Sequence, residues 1–320
     1  MSQPLPASTY ELLCCPVDRS ELHRSDSSFV CGECGCSFEV QHGIPIFLDP
    51  TQSLFARPND SEWMQSSSSS DSGSAARVKQ FLRSWKPALG LNLAAAKNYQ
   101  KVAAMALQKS QNPIVLVVGG AEVGKGFNAF LSDPRFIFIE SDIYFGRRVN
   151  LIADGHQLPL RDSSVDAVIC QAVLHHVVDP FKCVEEMWRV LRHDGIVYAE
   201  IPFMQQVHGG AYDFTRFSAG GCRRLFRKFR EESLGMVAGP GTALAWSLEY
   251  FIRSFSDSSS WRSATHRLVP FFLFWLKYFD YLFQHLRSGQ DAASCSFFLG
   301  RKADGAISDV EIVAKYSSAA

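Results

Sequence analysis

No excess of charge of either sign marks this chain. Lys+Arg and Asp+Glu each total 32 over 320 residues, so nothing global points to a polyanion as partner. No apolar run approaches the roughly 18 uninterrupted residues that a membrane-spanning helix needs. The first residues, MSQPLPASTYELL, have no basic segment followed by an apolar one, which is the pattern of an export signal. A reducing cytosol is therefore the expected compartment. No internal repeat is visible, so nothing suggests a solenoid. A hydroxyl is also missing at a decisive place. In VVGGAEVGKG, residues 117–126, Gly119, Gly124 and Lys125 fit the frame of a triphosphate-binding loop. Gly126 stands where that loop uses Ser or Thr to ligate Mg²⁺. No second acidic Mg²⁺ site follows at the end of a later apolar strand, so a P-loop-like nucleotide-binding protein is a minor alternative.

What is present supports a large core and a small appended unit. Hydrophobic residues make up 47% of the chain, enough for a substantial interior. Nine cysteines occur, and five of them fall between Cys14 and Cys36. Such a cluster without an export signal reads as metal binding before disulfides. The stretch SSSSSDSGS (66–74) has little to bury and reads as part of a flexible linker over 51–74. Residues 75–109 read as helical, interrupted at Pro87 and Gly90.

Strands and helices then alternate. PIVLVV (113–118), RFIFIE (135–140), VDAVIC (165–170) and GIVYAEI (195–201) are apolar, β-branched runs of the kind buried on both faces of a parallel sheet. VNLIA (149–153) is a shorter candidate, and SFFLGRK (296–302) is the expected last strand. In DPFKCVEEMWRVLR, Asp179 is a plausible N-cap and Pro180 suits the first helical position. Phe181, Val184, Met187, Trp188 and Leu191 share one helical face. The pattern predicts an α/β fold with a doubly wound, mostly parallel Rossmann-like sheet. The expected units are 1–50 (a small β unit), 51–74, a core over 75–240, a helical insertion over 241–287, the last strand within 288–304, and a tail over 305–320.

The glycine turn follows a buried strand and precedes FNAFL, a helix start. Downstream, IESDI places Glu140 and Asp142 at the end of the second strand, where a carboxylate can accept both hydroxyls of a ribose. LIADGHQLPL, VDAVICQAVLHHVVDP and RVLRHDGIVYAEIPF follow in order. This ordered set, over roughly residues 113–230, resembles the class I S-adenosylmethionine-dependent methyltransferases, particularly the methyltransferase type 11 group. The resemblance implies that the cofactor lies across the strand carboxyl ends. Gly119, Gly120 and Gly124 would let the backbone approach its methionine part and ribose. Asp142, preferred over Glu140, would take the ribose hydroxyls. Asp154 would accept from the adenine amino group, with Gly155 beside it, and Gln171 would lie near the sulfonium. The family usually shows G-x-G-x-G, whereas here the turn is one residue longer and has Ala121 in it. That departure is the main support for a competing class, a non-catalytic binding or scaffold protein on the same fold.

Methyl transfer from a sulfonium is an in-line displacement to an already activated donor, so the protein mainly positions and dehydrates. A base helps only if the acceptor must lose a proton. His176 matches the family histidine. His175 stands where relatives carry Glu, as a helix-start or supporting residue. PFMQQVHGGAYDFTRFS (202–218) resembles a loop bordering the acceptor pocket in one subgroup. That likeness makes His208, Asp213 and Arg216 the substrate-side candidates, with an Asp213–Arg216 pair bracing the loop as the equal alternative. The acceptor is not legible. A small molecule, glycan or lipid-linked intermediate is favoured over nucleic acid.

LLCCPVDRSELHRSDSSFVCGECGCSFEVQHGIPIFL (12–48) resembles the small zinc-ribbon family that includes the activator subunit of tRNA and release-factor methyltransferases. The resemblance implies a structural zinc held by Cys15, Asp18, Cys31 and Cys34, with Asp in place of one Cys. Cys14, His23 or Cys36 are other sources of a fourth ligand. A metal-free ribbon held by Leu12, Phe29, Phe38, Ile44 and Ile46 is the rival view. Two further stretches stand out. Arg223, Arg224, Arg227, Lys228 and Arg230 lie on one expected helix, whose ordinary meaning is a wet face and whose lesser meaning is RNA or anionic lipid. LVPFFLFWLKYFDYLF (268–283) is apolar nearly all round but broken by Lys277 and Asp280. It is expected as a lid over the acceptor pocket or, second, as a peripheral membrane contact.

Overall fold

The computed structural model describes residues 4–25, 27–49, 53, 86–121, 124 and 126–317. The Ser-rich stretch, residues 75–85 of the expected helix, and Lys125 lie outside them. Eleven strands among the described residues form one sheet in the order β1-β2-β3-β4-β7-β6-β5-β8-β9-β11-β10.

The apolar runs become the centre of that sheet. β5 (Ile114–Val118) lies between β6 (Ile137–Asp142) and β8 (Val165–Gln171), parallel to both. β7 (Leu151–Ala153) continues outward from β6, and β9 (Leu191–Pro202) continues from β8 on the other side. The runs are continuously apolar because both faces are covered. Along β5, Leu116 and Val118 enter one core with the helix Pro180–Val190, while Val115 and Val117 enter the other with the helix Ala95–Leu107. The chain leaves β5 toward β6 and β7, then returns to add β8 and β9 on the opposite side. The strand order therefore reverses between β5 and β8, and a crevice opens at their carboxyl ends.

Local chemistry sets the element ends. The Asp179 side chain accepts from the Lys182 amide at 3.1 Å, with Pro180 opening the helix. Val184 and Met187 of that helix are buried, whereas Phe181 points outward beside Arg224. Leu191 already belongs to β9. The strand SFFLGRK forms β11 (Cys295–Lys302), but it is inserted antiparallel between β9 and β10 (Phe229–Ala238). β10 is an addition to the sequence expectation. The helix Ala219–Leu225 ends before it, so Arg227 and Lys228 follow the helix and Arg230 lies in the strand. The basic cluster does not form one helical face. Its members pair locally: Arg223 with Glu231, Arg227 with Asp309, Lys228 with Glu185, and Arg230 with Asp194 and Glu232. The expected tail carries the helix Asp309–Ser317, opened by a reciprocal Ser308–Glu311 capping pair.

The N-terminal β unit is continuous with the large sheet. β1 (Leu22–Arg24), β2 (Ser28–Cys31), β3 (Ser37–Gln41) and β4 (Ile44–Phe47) form an antiparallel meander. β4 then pairs parallel with β7, Ile46 opposite Ile152 and Phe47 opposite Ala153. All four residues of β4 are buried. The pairing covers what would otherwise be an open sheet edge. Backbone bonds from Cys14 to Pro159 and from Arg161 to Leu12 extend the junction.

Because Ile46 packs with Val149 and Ile152 across this junction, Ile46→Ala should cost about 2–5 kcal/mol. The expected result is one cooperative thermal transition at lower temperature. A separate early melting of the N-terminal unit, with the large sheet unchanged, would contradict the shared-sheet account.

Candidate functional site

The crevice at the strand carboxyl ends is a cavity of about 610 Å³, within the range of small-molecule sites. Each flanking strand contributes a residue where its ladder ends. The turn after β5 supplies Gly119 and Gly124, β6 supplies Asp142, the segment after β7 supplies Asp154 and Gly155, and β8 supplies Gln171.

Two of the glycines have no room for a side chain. Gly119 has φ +80°, and a Cβ there would lie 2.1 Å from Val173 Cγ2. At Gly124 a Cβ would meet Gln171 Oε1 at 1.6 Å. Beyond the turn, the helix Asn128–Leu131 is a single turn, so little macrodipole is available for a phosphate.

Asp142 ties two loops together. Its Oδ2 accepts from the Ala121 amide at 2.9 Å, and its Oδ1 from the amides of Ile143 and Tyr144 at 2.7 and 3.2 Å. It is the last residue of β6 and lines the cavity. Glu140, two residues earlier, does not. It is buried in the strand and paired with Arg148 at 2.8 Å. Burial raises its carboxyl group, against the pull of Arg148. Gly120 sits against Glu140 rather than in the main cavity lining. Asp154 accepts from the amide of His156 at 2.9 Å, contacts the His156 ring at 2.6 Å, and accepts from the Ser53 hydroxyl at 2.8 Å. Burial raises this carboxyl, but the His156 and Ser53 bonds outweigh it and hold it below its ordinary value.

Gln171 leads to a residue that sequence reasoning missed. Its Oε1 accepts from Tyr99 Oη at 2.8 Å, and its Nε2 donates to Glu200 at 2.9 Å. Glu200 lines the cavity while almost fully buried. It also accepts from Tyr198 Oη at 2.6 Å and from Asn92 Nδ2 at 3.0 and 3.2 Å. Burial pushes its carboxyl upward against these donors. The signal was a lone acid at the end of the apolar run GIVYAEI. Ala172, next to Gln171, has φ +56° and donates its amide to the Glu200 carbonyl at 2.9 Å. A non-glycine in that conformation is a strained position of the kind found at ligand sites.

The histidines divide by role. His176 lines the cavity, and its Nδ1 lies 2.5 Å from the Tyr212 carbonyl. That nitrogen is therefore the protonated one, leaving Nε2 as the lone-pair atom. His208 and Asp213 are not among the lining residues. Asp213 pairs with Arg216 and accepts from the amides of His208 and Gly209. The Arg216 guanidinium, ahead of those amides, holds its carboxyl well below the usual range. Arg216 in turn donates to the carbonyls of Gln205 and Gln206. This pair holds the loop 203–216 in shape, so Asp213 is placed as a brace and not against the cavity. His175 is fully buried, with Nε2 3.1 Å from His208 Nε2 and with Nδ1 unpartnered. Burial, aided by the neighbouring His176 and His208, lowers its pKa to about 3. No residue of 240–287 lines the cavity among those described. The insertion instead braces the same loop, through Ser247 to Gln206 and Tyr250 to the Val207 carbonyl.

A second cluster lies in the N-terminal unit. Ligand atoms of Cys15, Asp18, Cys31 and Cys34 all fall within 4.8 Å of one another. The Cys15 and Cys34 sulfurs are 3.6 Å apart, and the Cys31 sulfur is 3.4 Å from Asp18. A tetrahedral zinc with bonds of about 2.3 Å separates its sulfurs by about 3.8 Å, so this donor set fits that ion. Cys14, His23 and Cys36 are outside the group.

Comparison with known proteins adds to this geometry. Residues 134–199 match the family model described as a methyltransferase domain, a segment that contains Asp142, Asp154, Gln171 and His176. Proteins from Mycobacterium sp. strains KMS and MCS, each described as an uncharacterized methyltransferase, are 29% identical over 140 residues. That match covers 44% of this chain, which spans about half (53%) of the length of those relatives. Among solved structures, phosphoethanolamine N-methyltransferase 2 of Haemonchus contortus, in complex with S-adenosyl-L-methionine, is 13% identical. It covers 65% of this chain and 53% of its own, with a TM-score of 0.42. The 1,6-didemethyltoxoflavin-N1-methyltransferase of Burkholderia thailandensis is 14% identical over 89% of this chain and 100% of its own, at a TM-score of 0.38.

The buried imidazole makes the fold acid-sensitive. His175 is depressed when folded, so the unfolded chain binds the extra proton between about pH 6.5 and 3. Stability from this residue is whole above about pH 6.5 and falls as pH drops. His175→Gln should flatten the decline in melting temperature between pH 7 and 4.5. Parallel profiles for variant and parent would remove His175 as the cause.

Proposed function

We propose that this protein is an S-adenosylmethionine-dependent methyltransferase with a structural zinc in its N-terminal unit. The supporting observation is the convergence of carboxylates from two adjacent strands, Asp142 and Asp154, on one cavity walled by side-chain-free glycines at the strand-order switch. The match of residues 134–199 to a methyltransferase domain adds independent support. The cofactor supplies an electrophilic methyl group on a sulfonium. The chain's residues bind and orient it: Asp142 toward the ribose hydroxyls, Asp154 and Gly155 toward the adenine, and Gly119 and Gly124 by close backbone approach. Gln171 and Glu200 form the polar wall at the end of β8 and β9. The Glu200 carboxyl there presents oxygens suited to a cationic ligand group. Ser53 shares the Asp154 carboxylate, so adenine binding requires that bond to be shared or exchanged.

On the acceptor side, His176 is the imidazole that lines the cavity. Its Nε2 is the atom available to take a proton from an acceptor hydroxyl, amine or thiol. The acceptor itself is a small molecule, a glycan or a lipid-linked compound, and His208, held by His175, positions the bordering loop. The competing reading, a non-catalytic binding protein on this fold, shares the cofactor cavity and differs only in turnover.

Calorimetric titration with S-adenosylmethionine and its demethylated product tests the first step. Asp142→Ala should weaken binding at least tenfold, about 1.4 kcal/mol. Failure of the parent chain to bind either compound, with uptake of Mg-ATP instead, would overturn the reading. Labelled-methyl incorporation into fractionated cell extract tests turnover. His176→Ala should reduce it about 10²-fold or more without changing cofactor affinity, whereas no incorporation by the parent favours the binding protein. Metal analysis of untagged protein should find about one zinc per chain, lost in Cys31→Ser; less than one zinc per several chains rejects the site.

A further inference from the structure

The helical insertion between β10 and β11 buries charged side chains and exposes a large apolar stripe. It comprises the helices Pro240–Arg253 and Ser259–Leu273, the 3₁₀ segment Phe274–Phe279 and the turn Asp280–Phe283. Its inner side packs Ala245 and Leu276 against Leu89 and also buries three charged groups. Asp280 is fully buried and caps the helix Pro240–Arg253, accepting from the amides of Gly241 and Thr242 and from the Thr242 hydroxyl. Lys277 is 8% exposed and donates to the Ala88 carbonyl at 2.6 Å. Glu249 is 2% exposed and meets His266 at 3.0 Å. Lys277 and Asp280 are the residues that interrupt the apolar run 268–283, and the fold has turned them inward.

The outer side is apolar. Leu268, Phe271, Phe272, Trp275, Phe279 and Leu282 recur at close to helical spacing, and all are exposed, Phe272 at 73% and Leu282 at 67%. Ring contacts join Trp275 to Phe279 and Phe279 to Phe283. A segment folding for contact with water alone would bury this stripe and expose the other. A patch of this kind marks an interaction surface. Its chemistry narrows the partner. Phe, Trp and Leu flanked by arginine is the composition of helices that lie in the headgroup region of a bilayer. Within 240–287 the exposed charges are Arg262 and Arg267 against Asp257, with Arg253 and Arg287 half-buried over Tyr250 and Tyr316, so the surface complements negative charge. No helix among the described residues is long and apolar enough to cross a membrane, which leaves contact with one leaflet.

We propose that the stripe Leu268–Leu282 seats this protein on the surface of an anionic lipid bilayer. The insertion also holds the 203–208 loop through Ser247 and Tyr250. The docking surface is thereby coupled to the rim of the cavity, on the side where an acceptor drawn from the membrane would approach. The docking itself does not depend on methyl transfer.

Flotation of the full chain with vesicles of phosphatidylcholine, with and without 30 mol% phosphatidylglycerol as the probe's ~one-third anionic fraction, reads it directly. The parent chain should float with the anionic vesicles and at least tenfold less with the neutral ones. Phe272→Glu combined with Leu282→Glu should reduce the bound fraction about tenfold. Both side chains are mostly exposed, so the melting temperature should be unchanged. Arg262→Glu with Arg267→Glu should weaken binding and reduce its salt dependence. The Trp275 emission should shift to shorter wavelength on binding. Absence of flotation with anionic vesicles, or equal flotation of the Phe272/Leu282 variant, overturns the proposal. A dimer in sedimentation that the same variant dissociates, without flotation of the parent, assigns the face to a second copy and also overturns it.

Discussion

The backbone at Gly119 and Gly124 lies so close to Val173 and Gln171 that a single methyl group would not fit between them. Much of the candidate site follows from that approach. It brings the turn after β5 against the end of β8, where the strand order reverses and no crossover helix covers the sheet. It holds Gln171 between Tyr99 and Glu200, which sets the wall of the cavity two strands away. Asp142 secures the other side by accepting from Ala121 within the same turn.

The sheet edge imposes the second constraint. β7 is three residues long and carries Asp154 just beyond its end. On its own it would be a short edge strand with backbone groups open to pairing. β4 takes that position in parallel register, and the buried Arg189 joins Glu186, Asp162 and the carbonyls of Leu158 and Leu160 below it. The cysteine cluster, at one end of the sheet, and the cavity, at its centre, therefore share one run of strands. Loss of order in the N-terminal unit would be felt at Asp154 through backbone hydrogen bonds, without any side chain of that unit entering the site.

The loop 203–216 shows how a polar motif divides its labour. Asp213 and Arg216 spend their charges on each other and on backbone groups, as a buried pair must to offset desolvation. His175 is held neutral by burial beside His208. His176 is left facing the cavity. The polar groups of this loop are thus mostly scaffold, and the rings of His176 and Tyr212 face the cavity.

Local patterns in the chain were enough to locate the buried strands, the capped helix at Asp179, and the order of Gly119, Asp142, Asp154 and Gln171 along the strand ends. Such features follow from periodicity and spacing within a few residues, and β5, β6, β8 and β9 are each built around one short apolar run. The tertiary structure decided what depends on distant partners. Glu200 faces the cavity because β9 pairs with β8 in one register, Glu140 turns away because Arg148 meets it, and Asp213 is withdrawn by Arg216. β11 inserts between β9 and β10 only once β10, with its mixed polar pattern, has a neighbour. In the 268–282 segment, spacing identifies two stripes but does not say which is covered. In the structure the inward face carries Val269 and Leu276 together with Asp280, which accepts from Gly241 and Thr242 at the start of the Pro240 helix, and the aromatic stripe is left outside.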